Sequence, residues 1–126
     1  MPISPRHRVL ACFLLPLAIY ACDASTLEPQ DVSPLVPPQV YRSWWAEVSM
    51  CTGVTGTFER VTWYEAGHLI NRETGSDHVG AWQPPHTIYV HSEYLLYVEG
   101  VKHEMVHELL QTRHHGSAAF LRCAGV

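Results

Sequence analysis

The sequence predicts one small α+β domain: an N-terminal helix, a small, mostly antiparallel sheet, a long apolar helix and a short C-terminal helix. Three observations carry this expectation. Val40, Trp44, Val48 and Cys51 fall at helical spacing. The segments Phe58–Glu65 and His86–His91 are rich in β-branched and aromatic residues and alternate. Val98, Val101, Met105 and Leu109 then return to helical spacing. A length of 126 residues leaves room for one domain and a tail. The 47% of hydrophobic residues excludes a wholly disordered chain. Eight Lys and Arg against twelve Asp and Glu offer no electrostatic footprint for a phosphate backbone, so no nucleic acid partner is expected. Nine His residues are the unusual feature of the composition.

Residues 1–21 read as a targeting segment. Arg6, His7 and Arg8 precede the apolar run Val9–Ala21, which is too short to span a bilayer and is interrupted by Pro16. The run closes on Ile19-Tyr20-Ala21-Cys22, which resembles a bacterial lipobox. The resemblance implies lipidation of Cys22 and a mature chain held at a membrane surface by its N-terminal lipid. Cleavage near Ala21 without lipidation, giving a secreted protein, is the alternative. Either route implies export, as a cell-envelope lipoprotein in the first case. Cys12 would leave with the signal, and acylation would occupy Cys22. Cys51 and Cys123 then remain, and in an oxidising compartment they are expected to pair as a disulfide worth roughly 4 kcal/mol on the chain-entropy model. No CxxC spacing supports the alternative of cysteine ligands to zinc.

Residues 22–38 contain four Pro between polar residues and read as an extended tether; residues 39–126 form the domain. Gln39–Cys51 is the first helix, ended by Thr52-Gly53. Phe58–Glu65 is a strand, Leu69–Asp77 a polar loop, His78–Trp82 a short strand and His86–His91 a clearer one behind Pro84-Pro85. Ser92 caps a helix running from Glu93 to Gln111, in which Gly100, about 1 kcal/mol worse than Ala, marks a place for a break. The chain turns at Thr112–Gly116 and closes with a helical piece, Ser117–Cys123. Trp44, Trp45, Trp63, Trp82 and Tyr64 read as core and surface aromatics, and His68, His78, His86 and His91 as solvated residues. Glu108 is expected either to orient a ligand or to lie exposed.

The chemistry lies in His103-Glu104-Met105-Val106-His107, an HExxH motif inside the strongest helical pattern. Residues i and i+4 stand one above the other, so His103 and His107 can reach a single ion. Glu104 projects beside them, where a carboxylate can deprotonate a metal-bound water. A catalytic zinc takes three protein ligands and keeps one position open. The metzincin layout fails, because Leu110 and Arg113 occupy the positions of its Gly and third His. A helix running one more turn before reversing brings back His114 or His115 instead.

The run HExxH, a short gap, His115-Gly116 and then Phe120-Leu121-Arg122-Cys123 resembles the small metallopeptidase-like domains related to SprT and WLM proteins. It is also similar to single-domain zinc metallopeptidase-like bacterial lipoproteins that end in an FxxC pattern. The match covers Lys102–Cys123. It implies a minimal zincin-like domain with a Zn²⁺ cofactor, His103 and His107 as ligands and Glu104 as general base. It also implies His115 as third ligand; the spacing to Phe120 is one residue longer than in that pattern, which keeps His114 as the alternative.

The expected function is therefore a membrane-tethered zinc metallopeptidase acting on a peptide or protein substrate. An extended peptide would add to an edge strand, His78–Trp82 or His86–His91. Tyr89, Tyr94, Tyr97 and His91 are all eligible to stabilise an oxyanion. The alternatives are a non-catalytic zinc-binding lipoprotein, in which His114 and His115 both close the coordination sphere, and an interaction lipoprotein in which HExxH has no metal. Oligomeric state is not legible.

Overall fold

The computed structural model describes residues 26–124. The expected targeting segment and Cys22, the expected lipidation position, lie outside the described residues. Four strands form one mixed sheet: β1 (Leu27–Pro34), β2 (Thr62–Asn71), β3 (Gly80–Gln83) and β4 (Thr87–His91), in the order β1-β2-β4-β3. β1 with β2 and β3 with β4 are antiparallel, and β2 with β4 is parallel. Three helices complete the domain: α1 (Val40–Thr52), α2 (Val98–Leu110) and α3 (Ala118–Cys123). The domain is α+β, as its patterning predicts. Among the described residues no helix is long and apolar enough to cross a membrane.

The register builds the core. Trp63 pairs with Ile88 and Ile88 with Trp82, so three large side chains form a row across the sheet. Val90 extends that face, and α2 covers it with Val101, Met105, Val106 and Leu109. The next register row, Tyr64, Tyr89 and Ala81, points to the opposite face, where Tyr64 and Tyr89 stack at 5.4 Å. Cys51 and Cys123 form a disulfide that ties α1 to α3. Lys102 is buried and pairs with Glu47, which ties α2 to α1.

Several boundaries differ from the sequence reading. Leu27–Pro34 is not a tether but the edge strand β1. Its two prolines are tolerated because an edge strand has backbone N–H groups that no neighbour needs. This extra partner also extends β2 through Leu69–Asn71, which read as loop. Phe58–Arg60 is a 3₁₀ turn rather than the start of that strand. In α1 the buried stripe is Tyr41, Trp45 and Val48, one residue along from the expected Val40 and Trp44, and Val40 is 38% exposed. Gly53, at φ +70°, closes α1 by donating its N–H to the Ser49 carbonyl. Ser92–Tyr94 is a separate 3₁₀ turn, and the break before α2 falls at Leu95–Tyr97. Gly100 lies inside α2 because a Cβ there would meet Tyr97 and Val79 at 2.8 Å.

The Tyr41 hydroxyl donates to the Leu95 carbonyl at 2.6 Å and so anchors the segment ahead of α2 to α1. Tyr41→Phe is expected to lower unfolding free energy by about 1 kcal/mol. An unchanged urea midpoint would mean that the Leu95 carbonyl is equally well served without the hydroxyl.

Candidate metal centre

α2 ends where Gln111 takes a left-handed conformation, φ +50°, and donates its N–H to the His107 carbonyl. The Gln111 side chain donates to the Pro85 and Glu108 carbonyls, which fixes the reversal. The helix therefore stops at Leu110, without the extra turn expected from the sequence. The reversed chain brings His115 back over α2, while His114, exposed like His115, donates its N–H to the Thr112 hydroxyl.

His103, His107 and His115 converge, with one ring nitrogen of each within 4.8 Å of the others. Nε2 of His107 and Nε2 of His115 are 3.1 Å apart. His107 Nδ1 donates to the Thr112 carbonyl at 2.6 Å, which leaves Nε2 as a lone pair facing the other two rings. Phe120 of α3 packs against all three rings at centroid distances of 4.6–5.0 Å. The Trp82 ring lies parallel to His107 at 6.0 Å. Burial, reinforced by the neighbouring His107 and His115, pushes the His103 pKa down to about 4, and burial lowers that of His107. Neutral imidazoles with lone pairs turned inward are the form that a metal ion requires. The donor set fits zinc with one position left open.

Glu104 lines the same cleft, a space of about 320 Å³. It is 7% exposed, and burial raises its carboxyl to about 8, opposed by a hydrogen bond from the Trp82 backbone N–H. Gly80 on β3 makes this approach feasible, because a Cβ there would lie 2.7 Å from Glu104 Cγ. Gly80→Ala is expected to cost about 1–3 kcal/mol of stability through overpacking and to slow any reaction that needs Glu104, with the histidine site intact. Full activity in that variant would show that Glu104 does not need its position against β3.

Other residues lie elsewhere than expected. Glu108 is fully buried; its carboxylate accepts hydrogen bonds from Trp82 Nε1 and His86 Nδ1, each at 2.7 Å, with Arg60 at 3.4 Å. It steadies the ring that lies parallel to His107, a role set by partners on three other segments. His86 is thus half-buried rather than solvated, and His91 is buried. Tyr89, Tyr94 and His91 do not line the cleft. Tyr97 lines a recess beside it that shares His103 and Glu104, and Arg113 lines the cleft itself. Arg113 carried no sequence signal beyond lying two residues before His115. Comparison of the chain with protein-family models, with curated proteins and with solved structures found no match.

Proposed function

We propose that the chain is a membrane-tethered zinc metallopeptidase. The observation that carries this reading is the convergence of His103, His107 and His115 in the cleft that also holds Glu104. Zinc, when bound there, polarises a substrate carbonyl and makes water a nucleophile at neutral pH. A cation held by the three histidines would favour the ionised form of Glu104 against its burial, and the carboxylate then takes the proton of the attacking water and passes it to the leaving amine nitrogen. The Trp82 backbone N–H holds the carboxylate in place, and the surrounding burial eases its protonation. β3 is an edge strand of the sheet and borders the cleft through Gly80, Ala81 and Trp82. An extended peptide adding to that edge would pass the scissile bond across Glu104. Arg113 in the cleft and Tyr97 beside it are the nearby donors for a developing oxyanion.

The non-catalytic alternative needs His114 as a fourth ligand. His114 lies outside the cluster, which supports an open coordination position and hence the peptidase reading. The Cys51–Cys123 bridge supports export, because such bonds persist in oxidising compartments.

The test is zinc content by mass spectrometry on the protein and on His103→Ala, beside hydrolysis of a fluorescein-labelled unfolded protein. A zinc equivalent that disappears in the variant, together with hydrolysis that a chelator stops, is the expected result. Zinc content unchanged by the substitution would overturn it.

A further inference from the structure

A second group of metal-type donors lies away from the HExxH cleft, and the proposed hydrolysis uses none of it. His68 is on β2, His91 ends β4, and Asp77 is on the segment returning from β2 to β3. His68 Nδ1 is 2.6 Å from Asp77 Oδ2, and His91 Nε2 is 3.3 Å from the same oxygen. One ligand atom from each residue lies within 4.8 Å of the others. All three are held by the fold. Asp77 Oδ1 accepts the Leu69 N–H at 2.8 Å, Asp77 bridges to Ile70, and His91 is 5% exposed.

We propose that His68, Asp77 and His91 form a second binding site for a divalent transition-metal ion such as zinc. Two imidazole nitrogens and one carboxylate oxygen are a donor set for zinc-like ions rather than for calcium or magnesium. Donors bonded to zinc at about 2.0–2.2 Å stand roughly 3.3–3.5 Å apart in a tetrahedron. His91 and Asp77 already stand at that separation, and His68 has to withdraw by under about 1 Å. The carboxylates of Asp31 and Glu93 lie within electrostatic reach of His68, so the neighbourhood is anionic and favours a cation. A recess of about 290 Å³, bordered by Gly67, Ser92 and Tyr94, gives the ion and a completing water their way in.

Loading relocates the ring proton of each histidine away from its ligating nitrogen and needs no redox partner. His68 coordinates through Nδ1 and carries its proton on Nε2. His91 coordinates through Nε2, and its proton moves to Nδ1 in place of the 3.2 Å hydrogen bond that this atom accepts from the Glu93 N–H. An ion here ties β2, β4 and the returning segment together, directly before His78 and Gly80 at the first cleft. The site thus acts as a clip on the strand that faces Glu104.

Zinc is titrated into the metal-stripped full chain, His103→Ala, His68→Ala and the double variant, and the bound zinc is counted after gel filtration. The expected count is two equivalents in the unaltered chain, one in each single variant and none in the double variant. An equal count in the unaltered chain and His68→Ala overturns the second site, as does a single equivalent that His103→Ala removes. These arms separate the two sites, so the loss of either proposal leaves the other readable. If His68→Ala fails to fold by circular dichroism, ring-nitrogen NMR of His103→Ala decides. Movement of the His68 and His91 resonances with one zinc equivalent supports the site, and unmoved resonances overturn it.

Discussion

Glu104→Gln is expected to lower hydrolysis of an unfolded protein substrate by about 10²–10⁴-fold, the range for loss of a general base, while zinc stays bound. The carboxamide has nearly the same volume as the carboxylate, so the contact at Gly80 survives, and its oxygen can still accept the Trp82 N–H. What disappears is the capacity to take a proton from water and return it to the amine. The histidines keep their geometry, because the Thr112 carbonyl fixes the His107 ring and Phe120 packs against all three rings. Zinc content and turnover must therefore separate in this variant. Retention of both would remove Glu104 from the chemistry. Loss of both would make Glu104 a structural part of the site and would favour the non-catalytic reading.

The parts of the molecule legible in the sequence are those whose signals are local. The HExxH pair needs only the i, i+4 geometry of one helix, and the pairing of Cys51 with Cys123 follows from elimination among four cysteines. Non-local features were hidden. β1 looks like a proline-rich tether because its structure comes from the antiparallel ladder with β2, not from its own alternation. Two neighbouring apolar stripes run along α1, and periodicity does not choose between Val40–Trp44 and Tyr41–Trp45. The choice is made at long range, by the Tyr41 hydroxyl on Leu95 and Trp45 Nε1 on the Gly56 carbonyl. His114 and His115 are adjacent in sequence, and the left-handed turn at Gln111 decides which of them reaches the cluster. The buried Glu108 was least visible of all, since Trp82, His86 and Arg60 reach it from other segments.

The largest loss of stability is expected from replacing both Cys51 and Cys123 by Ser. The bridge spans a sequence separation of 72 and joins α1 to α3. In the chain-entropy model, opening a loop of that size removes roughly 4 kcal/mol, a large share of the stability of a domain this small. Both half-cystines face the main core, so the serine hydroxyls also enter apolar surroundings, Cys123 at full burial. The effect should reach the metal centre. α3 is only six residues long and carries Phe120, the side chain packed against His103, His107 and His115. Without the bridge, α3 is held by Phe120, by Arg122 donating to the backbone carbonyl of residue 51 at 3.4 Å, and by the Ser117 cap, whose hydroxyl accepts the Phe120 N–H at 3.1 Å. The double variant is therefore expected to unfold at a lower urea midpoint, and in dilute urea, where it is still folded, to bind zinc at the HExxH site more weakly than the disulfide-intact protein. An unchanged midpoint would show that the helices hold together without the bridge. A lowered midpoint with full zinc affinity would instead confine the bridge to folding and leave the histidine cluster dependent on α2 and the Gln111 reversal alone.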